Sequence, residues 1–235
     1  TIFLFNTTVI TSTGNFGVYS NSLMDVDLTS DADITVTNAG LAVGIYATSN
    51  NGDVNVTNNG DISATSTGGP AAGIVAVAQY GDVSVTNNGS ITASAQTAGA
   101  YGIIADAFAG DVSVDNTGSI SATSVSGRAY GIYAYSQYGD VDVNNSGDIT
   151  ATSTSNSAFG IYAVSVYDDV TVNTDGDIVA QSTSASAMGI FAAGINATVT
   201  GSGDVTATTT TGSATGVFAR ALDAYGVVTI DVSGD

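Results

Sequence analysis

Five residue types are missing from this 235-residue chain: cysteine, histidine, tryptophan, lysine and glutamate. Without cysteine there are no disulfides and no thiolate ligands, and the redox compartment stays open. Without histidine or cysteine, neither a Ser-His nor a Cys-His nucleophile pair can form. Basic charge is limited to Arg128 and Arg220, against 21 acids that are all aspartate, for a net charge of −19. Binding phosphates takes a Lys/Arg patch that this chain cannot supply, so nucleic acid is excluded as a partner. There is one proline, and no apolar run approaches the ~20 residues of a membrane-spanning helix. The first segment, TIFLFNTTVI, is apolar but has no basic flank that would make it a signal peptide.

What the chain does contain is turn and strand chemistry. Aspartate suits turns, glutamate and lysine suit helices, and an acid set made only of aspartate points to a strand-rich protein. An apolar content of 43% is ample for a packed interior.

Internal repetition is the dominant signal. A unit of Gly, an aliphatic and a bulky apolar residue recurs with its Gly at 17, 44, 73, 102, 131, 160, 189 and 216, mostly 29 residues apart. Asp-Val-x-Val begins at Asp53, Asp82, Asp111, Asp140 and Asp169, and Gly-[Asp/Ser]-Ile-x-Ala at Gly60, Gly89, Gly118, Gly147 and Gly176. Each repeat therefore predicts three strands of four or five residues. Strand alternation points Val54, Val56, Ile62, Ala64, Ile74 and Ala76 inward. A single repeat cannot bury these residues, but stacked repeats close them into a column. The expected fold is all-β: a right-handed parallel β-helix of about eight coils with a ~29-residue repeat. Residues 1–16 read as an N-terminal apolar strand, first partial coil or cap, with Ile2 to Phe5 as its strand, and 17–235 as the array. A start without Met and an end in mid-coil suggest a piece of a longer polypeptide, or subunits that dock end to end.

Parallel stacking places residue n over residue n+29 and turns the repeat into columns. Asn58, Asn87, Asn116 and Asn145 predict a buried amide ladder that satisfies a bend. The glycines from Gly60 to Gly176 are expected to supply turn geometry. Asp25, Asp53, Asp82, Asp111, Asp140 and Asp169 form one acidic column, continued by Asn196. Asp33, Asp61, Asp148, Asp177, Asp204 and Asp235 form a second. Charges ~4.8 Å apart repel by about 0.9 kcal/mol even in bulk water, so hydration and salt must relieve them, or a hard divalent cation. The ladder Asp53, Asp82, Asp111, Asp140 and Asp169 is thus a candidate Ca²⁺ site, although the nonapeptide motif of calcium-binding β-rolls is absent; no other cofactor is expected.

Tyr19, Tyr46, Val75, Ile104, Tyr133, Tyr162, Phe191 and Phe218 point outward and predict an apolar stripe along the rod. Such a stripe suits lateral self-association, an aromatic platform for glycans or protein, or a covering segment. An ice-binding face would need Thr-x-Thr rows, and the outward positions 55, 84, 113, 142, 171 and 198 read Asn, Ser, Ser, Asp, Thr, Thr.

The segments GDVSVTNNGSITASAQTAGAYGIIADAFAGD (81–111) and GDVDVNNSGDITATSTSNSAFGIYAVSVYDD (139–169) resemble passenger domains of bacterial autotransporter and filamentous adhesin-type surface proteins, and the resemblance extends over residues 17–235. It implies a right-handed β-helix on the outside of the cell, acting as a structural or adhesive stalk or filament component that binds its own kind, surface glycans or other cells. The alternatives are a polymerising fibre or sheath subunit and a polysaccharide-cleaving β-helix. Cleavage needs a carboxylate pair singled out by its surroundings, whereas these aspartates follow the repeat. The chain is not expected to be an enzyme.

Overall fold

A computed structural model describes residues 2–4 and 9–234; Phe5, within the expected first strand, and Asp235 lie outside the described residues. Every described element is a strand. The strands form three parallel sheets of nine, eight and eight, and no strand is hydrogen-bonded to its sequence neighbour. The chain visits the sheets in rotation, as Val83–Asn87, Ile91–Ala95 and Ala100–Ala107 do in one coil. Registers fall one repeat apart: Val83 pairs with Val112, Ile91 with Ile120 and Ile103 with Ile132. The protein is a right-handed parallel β-solenoid. It has about seven coils rather than eight, because the end coils are partial: the first two strands have three residues each, and Val228–Val232 stands alone after the last strand of the third sheet.

Alternation places the core where expected. Val83 and Val85, Ile91 and Ala93, and Ile103 and Ala105 are fully buried, and the same holds one coil above and below. Like stacks on like, so valine, isoleucine and alanine each form a column, and the interior is packed at every level. The third strand differs from expectation. It has eight residues, and its pairing ladder passes from Tyr101 to Ile103 without Gly102. Gly102 and Ile103 are both buried, so alternation breaks there and the strand bends around the glycine. A strand taken to start at the glycine loses its first two residues, Ala100 and Tyr101.

The glycines from Gly60 to Gly176 need their small size more than any special dihedral, since the positive φ lies at Gly201. A Cβ on Gly118 would collide with the carbonyl of Gly89 one coil below. Backbone stacked on backbone leaves no room for a side chain at that corner.

Buried polar side chains stitch the coils together. Asn58 Nδ2 donates to Asn87 Oδ1 at 2.8 Å, Asn87 to Asn116 at 2.8 Å, Asn116 to Asn145 at 2.7 Å, and Asn145 to Thr174 Oγ1 at 3.1 Å. Each asparagine also donates to the carbonyl two residues ahead, as Asn116 does to Gly118 at 2.8 Å. Serines at the other corners do similar work: Ser136 Oγ donates to Gly110 O at 2.8 Å and accepts from Gly139 N at 2.9 Å.

The amide ladder has a direction, and it runs out at Asn58. Asn58 Oδ1 is buried with no hydrogen-bond partner among the described residues, and in the coil below stands Ser30. An orphaned buried acceptor costs about 1–3 kcal/mol. Ser30→Asn is expected to supply the missing donor, raising the urea midpoint and slowing amide exchange around Asn58–Gly60. A lowered midpoint with faster exchange would show that the first coil cannot seat the amide.

Candidate functional site

The outer surface has three faces and three corners. The corner before the first sheet holds the first acidic column, and there the carboxylates are engaged. Asp82 N donates to Asp53 Oδ1 at 2.9 Å, Asp111 N to Asp82 Oδ1 at 2.9 Å, Asp140 N to Asp111 Oδ1 at 2.9 Å and Asp169 N to Asp140 Oδ1 at 3.0 Å. Asp53 N donates to Asp25 Oδ1 at 3.1 Å, and Asn196 N to Asp169 Oδ1 at 3.0 Å. The column thus caps backbone amides from coil to coil. The second acidic column repeats the device, with Asp61 N on Asp33 Oδ1 at 3.0 Å and Asp204 N on Asp177 Oδ1 at 3.0 Å. Relief of like-charge repulsion comes in part from these N–H dipoles, in addition to hydration and salt.

Ligand atoms of Asp140, Asp168 and Asp169 lie within 4.8 Å of one another. Asp140 and Asp169 belong to the calcium candidate ladder, and Asp168 joins them from beside it. Partial burial, and then the neighbouring Asp168 and Asp169, raise the Asp140 carboxyl above its ordinary range, against the lowering effect of the Asp169 N–H. Burial, with Asp140 next, raises Asp142, and burial raises Asp106. An acid whose pKa is higher folded than unfolded favours the fold when protonated. The stabilisation is complete below the unfolded value, about 3.9, and is lost as pH rises through the folded value. The thermal midpoint is therefore expected to be higher at pH 4.5 than at pH 7.5, helped by the fall in net negative charge. A lower midpoint at pH 4.5 would contradict this. At pH 7.5, calcium bound by the trio would raise the midpoint over that in chelator, and identical midpoints would remove calcium.

The expected aromatic stripe is present on the third sheet, though it is less open than expected. Tyr19 is 51% exposed and Phe218 40%, whereas Val75 is 9% exposed and the intervening members are half-buried. The rings stack on one another: Tyr133 on Tyr162 at 5.3 Å and 4°, Tyr162 on Phe191 at 4.8 Å and 7°, Phe191 on Phe218 at 5.4 Å and 7°. A second aromatic column, missed by starting the strand at the glycine, runs beside the first. Tyr101 stacks on Tyr130 at 5.2 Å and Tyr130 on Phe159 at 4.9 Å, while Tyr130 meets Tyr133 edge-on at 5.6 Å and 86°. The signal was the residue before each repeat glycine, which the break in alternation at the glycine turns outward. Stacking covers the ring faces within each column and leaves edges and hydroxyls outermost. The stacked ring faces join each coil to the next. Burial also pushes the Tyr133 hydroxyl well above the usual tyrosine range.

Further exposed aromatic residues sit at the acidic corner. Tyr80, Phe108, Tyr138 and Tyr167 are all exposed, and Tyr138 stacks on Tyr167 at 5.1 Å and 11°.

The second sheet presents a different surface. From Ile34–Asn38 to Val205–Thr209, each strand turns two side chains outward, and all are Ser or Thr except Val179 and Gln181. Shallow grooves flank this face, one of ≈ 290 Å³ beside Asp33, Asp61 and Ser90, and one of ≈ 270 Å³ beside Thr183 and Thr210. The Ser/Thr rows that the first sheet lacks lie here. The alternation that buried Ile62 and Ala64 already assigned Ser63 and Thr65 to the outside, so this row was legible.

These features define a three-sheet parallel β-solenoid, uncharged on one face and acidic at two corners. No protein family, curated protein or solved structure matches the chain.

Proposed function

We propose that this chain is an extracellular structural and adhesive rod of a bacterial surface, which attaches by association with further copies of itself. The observation that carries the reading is the ladder architecture. Side-chain hydrogen bonds run from coil to coil at two acidic corners and through a buried amide column, so the rod is stiff and its faces repeat along its length. A repeating face makes many weak contacts at once, and joined contacts bind far more tightly than one alone. The reading assigns no catalytic step, because the carboxylates recur with the repeat and spend one oxygen on backbone amides.

The test is a bead assay. Beads coated with the purified rod are expected to cluster with one another, and soluble rod is expected to disperse them. Rods that stay monomeric by sedimentation at all concentrations and salt levels, on beads that never cluster, would end the proposal.

A further inference from the structure

Each face of the rod has its own charge, and that difference selects how two copies meet. The first sheet turns Asp27, Asp115, Asp142 and Asp231 outward, and the third turns both Asp106 and Arg220 outward. The corners between third and first sheets and between first and second sheets carry the two acidic columns. The second sheet turns no charged residue outward. The loops from the second to the third sheet (13–15, 39–41, 67–70, 96–99, 125–128, 154–157, 183–186 and 210–213) contain no aspartate, and one of them holds Arg128. In a chain of net charge −19, this hydroxyl face and its far edge form the sector where a second copy can approach without bringing carboxylates together.

The face is also large enough. Eight strands at ~4.8 Å and five residues at ~3.3 Å span about 600 Å² per rod. A pair then buries about 1,200 Å², the lower end of a specific interface, with room for about ten hydrogen bonds. Outward hydroxyls both donate and accept, so a hydroxyl face can pair with a copy of itself.

Symmetry then fixes the direction. Two identical faces meet about a two-fold axis lying in the plane between them. An axis perpendicular to the rods runs them antiparallel and sets acidic edge against acidic edge. An axis along the rods runs them parallel and sets the acidic edge of each against the acid-free edge of the other, where Arg128 lies. We infer that copies of this chain pair through the Ser/Thr face of the second sheet with their rods parallel, as neighbours anchored on one surface would be. This inference rests on the self-association reading and adds the face and the direction.

The experiment has two arms. Thr92→Asp, Thr123→Asp and Thr150→Asp together place charge on the exposed hydroxyl face. Thr57→Asp, Ser84→Asp and Thr198→Asp place the same charge on the outer face of the first sheet. With circular dichroism confirming both folds, sedimentation equilibrium is expected to show the first set weakening association at least tenfold and the second less than threefold. Equal weakening would overturn the face while leaving self-association standing; no association by the unaltered rod would overturn both. In the second arm Thr206→Cys carries a nitroxide in this cysteine-free chain. A parallel pair holds the two labels at the same level, whereas an antiparallel pair in register separates them by ~34 Å along the rod, seven coil spacings. The long distance would overturn the direction.

Discussion

Gly131→Val is expected to cut the rod's stability by at least about 3 kcal/mol, the upper range for forcing volume into a packed interior. A Cβ at Gly131 would overlap the Ile149 side chain and the carbonyl of Gly160 in the next coil. Neither obstacle can move cheaply: Ile149 is fully buried, and the Gly160 carbonyl belongs to the stacked backbone. Valine adds two further methyl groups to that overlap. Stability in a solenoid is carried by contacts between neighbouring coils, so damage in a middle coil uncouples the two halves. Urea unfolding is expected to split into two transitions, with new proteolytic cleavage near the damaged coil. Gly40→Ala is the control, since its Cβ would find Asn38 Oδ1 at 3.6 Å, an ordinary contact. An unchanged single transition for Gly131→Val would mean that the coils tolerate a shift the packing forbids.

Asn116→Leu is expected to cost about 2–4 kcal/mol despite the similar size of the two side chains. The substitution removes the donor to Asn145 Oδ1 and to Gly118 O, both at a buried corner, and takes one of two acceptors from Asn87 Nδ2. Apolar area is gained, but two acceptors lose their partners away from water, and that penalty is the larger. Asn116→Asp is harsher at neutral pH, because the introduced carboxylate faces Asn145 Oδ1, acceptor against acceptor. Its pKa rises on folding, so the loss shrinks as pH falls and the carboxyl becomes a donor. Denaturant midpoints of both variants relative to the unaltered rod at pH 4.5 and 7.5 test this: the deficit of the aspartate variant should shrink at low pH and that of the leucine variant should not. Equal pH responses would show that the ladder bears little of the stability.

Much of this was legible in the residues. The 29-residue spacing gave the stack, and alternation gave Val54, Ile62 and Ile74 as core. The asparagine column announced itself as four amides at one repeat position. The strand bend at Gly102 was less visible, because strict alternation from Ile103 turns Tyr101 inward and only the bend turns it out. The bend also brings Tyr101, Tyr130 and Phe159 beside a stripe whose rings are stacked face to face. The acidic columns were legible as residues, but their role was not. Whether a carboxylate faces water, a cation or the next coil's N–H depends on where the backbone points at that corner.

The sequence by itself determined the period, the inward set and the net charge, because these depend only on residue identity and on the two-residue alternation of a strand. Tertiary structure alone decided that the corner carboxylates aim at the next coil's N–H groups, that the third strand bends at its glycine and that the ring faces are covered, since each depends on the path of the backbone and not on residue identity.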